Sequence, residues 1–171
     1  IRLAPSDASN HARLGYSLAQ KGDLDGAIVA YREAIQLKPA DADYHHKLGV
    51  ALIQQRDWSG ALAVIREAVR LSPNNAGYHV NLGGVLKEKG DLDGAIAAYR
   101  EAIRLAPSHA SYHDGLGYSL ADKGDLDGAI AAYREAIQLK PADAGYYNDL
   151  GVALSQKGDW SGALAAIREA I

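Results

Sequence analysis

The alternation of apolar and polar positions along the chain repeats every 34 residues. Each period holds two stretches in which apolar residues recur three and four positions apart, the spacing that lines one face of a helix. In AGYHVNLGGVLKEKG, residues 76–90, His79, Leu82, Gly83 and Leu86 fall on one stripe and Gly90 closes it. Glycine enters the left-handed cap conformation without steric cost. The second stretch, opening with GDLDGAIAAYREAI at 90–103, places Ala95, Ile96, Tyr99, Ala102, Ile103 and Leu105 on one side. Pro107 ends it, because its ring lacks an N–H and disfavours helical geometry in the preceding residue. Asp93 stands where a helix N-cap is wanted, as do Asp25, Ser59, Asp127 and Ser161, all capping residue types. The pattern predicts helix–turn–helix five times over and no strand.

Full units run 8–41, 42–75, 76–109 and 110–143, a shortened fifth runs 144–171, and residues 1–7 match the tail of a unit. A fixed period of this length marks one elongated array whose units touch their neighbours. Units 1 and 4 agree at 29 of 34 positions and units 2 and 5 at 19 of 28, whereas units 1 and 2 agree at 14 of 34. The copying step is therefore three units, or 102 residues. Arg56 takes the place of the turn glycines Gly22, Gly90, Gly124 and Gly158. A left-handed residue with a side chain costs roughly 1 kcal/mol, so unit 2 is expected to have the weakest turn.

Counted from the first residue of each unit, position 7 is always Leu, position 8 Gly, position 11 Leu, and positions 20 and 27 Ala. Position 24 is Tyr or Ile, and position 32 is Pro wherever it is present. This pattern resembles the tetratricopeptide repeat family over essentially the whole chain. The resemblance implies an all-α, right-handed superhelical solenoid, read here as one array over 1–171. It also implies a concave groove, lined by the first helix of each unit, that receives peptides or helices.

Composition narrows the chemistry. Cysteine is absent, which removes disulfides, thiolate metal sites and a thiol nucleophile. A net charge of −3 with no basic run does not advertise a nucleic-acid partner. No apolar stretch approaches the length of a membrane span. His11, His45, His79 and His113 recur at position 4; successive helices of a stack lie roughly 8–10 Å apart, too far to share a metal, so packing explains them. Asp23, Asp25 and their copies begin a helix, where carboxylates suit the helix dipole and cap N–H groups. The pair Gly83–Gly84 lies within a helix pattern and not between a strand and a helix, so it does not cradle phosphate. No enzyme activity, metal or cofactor is expected.

The face of the first helix opposite its buried stripe gathers positions 2, 5, 6, 9, 12 and 13. The groove candidates on it are Arg13 and Tyr16; His46, Lys47 and Val50; Asn81; Asp114 and Tyr118; and Asn148, Asp149 and Val152. Units 1 and 4 differ only at Asn10/Tyr112, Ala12/Asp114, Arg13/Gly115, Gln20/Asp122 and Val29/Ala131, three of them on this face, while outer pairs such as Arg32/Arg134 are unchanged. Arg13, His46 and Lys47 come early and Asp114, Asp122 and Asp149 late, which predicts a groove running from basic to acidic. Some members of the family hold a C-terminal carboxylate with Lys at position 5 and Asn at position 9; no unit here carries that pair.

The expected function is a non-catalytic scaffold for a protein or peptide partner, with no nucleic acid and no membrane. The alternatives are the recognition arm of a larger enzyme, such as a glycosyltransferase or kinase, and a self-assembling or engineered array without a natural ligand. The chain opens on Ile1 and stops at the equivalent Ile171. A segment of a longer protein is therefore expected, or head-to-tail association through the end repeats. Stability is expected to be spread along the array, with Leu82→Ala costing more than Leu150→Ala.

Overall fold

The computed structural model describes residues 7–170. Within them the chain forms ten α-helices and no strand: α1 Ala8–Gln20, α2 Leu24–Leu37, α3 Ala42–Gln54, α4 Trp58–Leu71, α5 Ala76–Glu88, α6 Leu92–Leu105, α7 Ala110–Lys123, α8 Leu126–Leu139, α9 Ala144–Lys157 and α10 Trp160–Glu169. The all-α class and the alternation of helices are those expected; the leading fragment, except Asp7, lies outside the described residues. Contacts divide the chain into two compact units, Ile1–Val85 and Leu86–Ile171. In the first, α1 packs on α2, α2 on α3 and α3 on α4; in the second, packing runs in the same order from α6 to α10.

The helix starts correct one expectation. The N-caps of the second helices are Asp23, Asp57, Asp91, Asp125 and Asp159, two residues before the expected positions. Each accepts a hydrogen bond of 2.9 Å from the glycine amide three residues on, as Asp91 does from Gly94. That satisfies one of the orphan N–H groups of the first turn. Asp25, Asp93 and Asp127 are freed for another role and tie consecutive units together. Gln55 Nε2 donates to Asp25 at 2.6 Å, Lys123 Nζ to Asp93 at 2.5 Å, and Lys157 to Asp127.

The turn glycines at 22, 90, 124 and 158 have φ between 79° and 88°, and Arg56 is held at φ 61°. Arg56→Gly is therefore expected to stabilise the chain by about 0.5–1 kcal/mol, the relief of side-chain strain less the entropy glycine gains on unfolding. Denaturant unfolding of the two chains checks this; a loss would show that Arg56 makes compensating contacts.

The invariant small residues of the first helices have a steric cause. A Cβ on Gly117 would stand 2.5 Å from Cε1 of Tyr133, and one on Gly49 would stand 2.5 Å from Cγ1 of Ile65. The first helix thus lies directly on the position-24 side chain of its own pair. Ala27, Ala34, Ala61, Ala68, Ala129 and Ala136 are fully buried and let the helices close around Tyr31, Ile65 and Tyr133. Leu150 is buried while Leu82 is only half-buried, so burial opposes the expected order of their truncation costs.

Position 4 does more than pack. His45 Nε2–H donates to the carbonyl of Pro39 at 2.8 Å, His79 to Pro73 at 2.7 Å and His113 to Pro107 at 3.1 Å. The proline that stops one unit leaves a carbonyl outside any helix ladder, and the next unit's histidine satisfies it. In unit 5 Tyr147 replaces the histidine, and the turn before it is closed by Lys140 Nζ on Asp143 at 2.7 Å.

Candidate functional site

The first helices bring the groove candidates together in pairs, position 5 of one unit against position 6 of the next. Asn81 Nδ2 donates to Nε2 of His46 at 2.6 Å, and the His46 ring lies 4.7 Å from that of Tyr78. Burial pushes the His46 pKa down, which keeps the imidazole neutral and able to accept. Asp114 and Asp149 occupy the equivalent positions of the next such pair and interact there.

Two equivalent clefts result, one in each unit. The first, of about 310 Å³, lies between α1 and α3. Tyr31 forms its floor, Tyr16, His46, Lys47 and Val50 its walls, and Gln20 and Gln54 its rim. Lys47 is ion-paired with Asp43, which also lines the cleft, so the basic character expected early in the chain is locally balanced. The second, of about 210 Å³, lies between α7 and α9 over Tyr133, with Tyr118, Asp122, Asp149, Val152 and Gln156 around it. Tyr118 and Val152 present exposed apolar surface, and the Tyr118 ring meets that of Tyr133 edge-on at 5.7 Å.

Charge separates the two. Tyr118 Oη donates to Asp149 Oδ1 at 2.5 Å. Lys87 Nζ stands 3.9 Å from Asp122 and 5.7 Å from the centre of the Tyr118 ring. The Asp114 pKa is pushed up to about 7, first by burial and then by repulsion from and hydrogen bonding with Asp149, with Asp143 adding to the repulsion. Burial, followed by Asp149, also raises Tyr118 and Tyr133.

Arg13 and Asn148 are exposed and line neither cleft, while Asn81 is engaged with His46. Tyr31 and Tyr133 are legible in the sequence only as core residues, because they arise from the second helix and lie beneath the groove. Gln54 and Gln156 stand at position 13, a wheel position that marks the face without singling them out. Among the described residues no three His, Asp or Glu side chains gather to hold a metal, and no helix is long and apolar enough to cross a membrane.

Paired helices with a glycine pressed on the position-24 side chain are matched by family models. A tetratricopeptide repeat model matches residues 46–110, and a second, described as TPR repeat, matches 15–56 and 117–158. The chain belongs to the tetratricopeptide repeat family. The two segments matched by one model begin 102 residues apart, at 15 and 117, in step with the three-unit period. No curated protein sequence matches the chain. Among solved structures, MamA is similar at 29% identity over 92% of both chains with a TM-score of 0.87. MamA from Desulfovibrio magneticus RS-1 is similar at 21% identity, covering 98% of this chain and 95% of its own, with a TM-score of 0.91. YrrB, described as a TPR protein with an unusual peptide-binding site, is similar at 22% identity over 96% of this chain and 85% of its own, with a TM-score of 0.81.

Proposed function

We propose that this tetratricopeptide array is a non-catalytic scaffold that binds a segment of a protein partner along its first helices. The observation that carries this reading is the pair of equivalent clefts, alike in their tyrosine floors and apolar walls and unlike in charge. Duplication kept Tyr16/Tyr118, Tyr31/Tyr133, Val50/Val152 and Gln54/Gln156 while changing Gln20 to Asp122 and Lys47 to Asp149. Aromatic and aliphatic walls supply contact area, and the few variable polar groups supply selectivity. His46, Lys47, Asp122 and Asp149 set that polarity in this reading, while Arg13, Asn81, Asp114 and Asn148 stand on first helices outside the cleft linings.

The test is a randomised peptide array probed with the wild-type chain and with the exchange Lys47→Asp plus Asp149→Lys. The exchange is expected to redirect charge preference in the bound peptides with little change in stability; an unchanged binding profile would overturn the assignment.

A second reading, head-to-tail self-association, is favoured by α10. Trp160 is 72% exposed and Leu164 51%, whereas their counterparts Trp58 and Leu62 are partly buried against neighbouring helices. Sedimentation is expected to show association rising with concentration and weakened by Trp160→Ser. A strict monomer at high concentration excludes it.

A further inference from the structure

Within the peptide-binding reading, on which this inference rests, the second cleft has a more specific occupant. We infer that the cleft between α7 and α9 is a receptor for one cationic side chain, an ammonium or guanidinium group, held at Asp149 with Asp114 behind it as a proton-exchanging second charge.

The Asp114 side chain is costly where it stands. Its Oδ1 is shut off from solvent and accepts no hydrogen bond. A buried carboxylate oxygen without a partner carries a desolvation penalty that folding does not recover. The equivalent residue of the first unit is Ala12, buried at no such cost. Relative to that copy most of the charge changes run one way, although Asp43, which lines the first cleft, becomes Gly145 and gives one negative charge back. Arg13 becomes Gly115, Ala12 becomes Asp114, Gln20 becomes Asp122 and Lys47 becomes Asp149, three single steps and one double step that lower the formal charge by five.

Among the described residues no protein cation pairs with Asp114 or Asp149. Among the described residues, the groups acting on Asp114 or responding to it are Tyr99 from α6, Tyr118 from its own helix, Tyr133 from α8, Asp143 at the start of α9, and Tyr146 and Asp149 on α9. The nearby ammonium groups are engaged elsewhere, Lys87 by Asp122, Glu88 and the Tyr118 ring, and Lys140 by Asp143.

A cation in the cleft would meet Asp149 at the wall and would share the Tyr118 ring with Lys87, whose Nζ stands 5.7 Å from its centre, a combination of carboxylate and aromatic ring suited to Lys or Arg. Without a ligand, protonated Asp114 donates to Asp149 and relieves the repulsion. A ligand cation takes over that role, favours ionised Asp114 and releases its proton. Binding therefore weakens as pH falls below about 7.

The experiment is an NMR titration of the full chain with acetyl-arginine amide, with acetyl-norleucine amide as the uncharged control. Saturable shifts at Tyr118 and Asp149 are expected with the arginine probe alone. The titration midpoint of Asp114, read from its side-chain carboxyl carbon, is expected to fall in the presence of that probe. Asp149→Asn is expected to abolish binding, and Asp114→Asn, which keeps shape and a donor, to weaken it about tenfold and remove its pH dependence. Equal shifts with norleucine, no saturation, or an unaltered Asp114→Asn titration would overturn the inference. If those results coincide with peptides captured from the array, this assignment alone falls; if the array also captures none, the scaffold reading falls with it.

Discussion

Ile65→Ala is expected to destabilise the chain by about 3–5 kcal/mol, the upper range for truncating a fully enclosed aliphatic side chain. Ile65 has no exposed surface and lies in one core with Leu48, Leu52, Ala61 and Val85. Its side chain also presses on the Gly49 backbone, so truncation opens a cavity against a helix that cannot collapse without moving. Ile167 occupies the same place one copying step later and is 39% exposed. Ile167→Ala is expected to cost about 1 kcal/mol, since surface truncations rarely exceed that. Guanidinium unfolding of both variants makes the comparison inside one molecule. Equal losses would show that the unit as a whole, and not local enclosure, sets the cost.

Asp114→Asn is expected to stabilise the chain, and more so at pH 8 than at pH 5. An aspartate has a reference pKa of 3.8, and Asp114 stands at about 7 in the folded chain. The folded state therefore holds a proton that the unfolded chain has already released. Wild-type stability falls as pH rises from about 4 and the loss is complete above about 7. Asparagine cannot ionise and escapes that loss. With partial solvent screening of a side chain that is not fully enclosed, the gain at pH 8 is on the order of 2 kcal/mol, and less than half of that at pH 5. Denaturant midpoints at the two pH values decide it; a pH-independent gain would mean that Asp114 is ionised throughout. A stabilising substitution that weakens ligand binding is what a site maintained at the expense of stability predicts.

Helices, turns and buried alanines were legible because each rests on local rules that the repeat states several times. Gly90 announced a left-handed turn, and Arg56 announced the same turn by breaking the pattern. The caps were displaced because Asp-Leu-Asp offers two carboxylates, and only backbone geometry selects Asp91 over Asp93. The clefts were half legible. A helical wheel groups Tyr118, Asp114 and Asp149 on a face, but it cannot show that positions 5 and 6 meet across the first helices of consecutive units. Nor can it place Tyr133, fifteen residues after Tyr118 and on another helix, in one cleft with Tyr118 and Asp149. That Asp114 Oδ1 is buried without a hydrogen-bond partner is a property of the assembled units and has no signal in any one of them.

The bond from histidine to the preceding proline carbonyl also determines how this array can be taken apart. Its acceptor belongs to one repeat and its donor to the next. A module excised at Ala42 would strand the His45 imidazole and leave its upstream turn behind, whereas one beginning at Pro39 carries both halves of the connection. A grafted or transplanted repeat therefore begins in the turn, three residues ahead of its first helix.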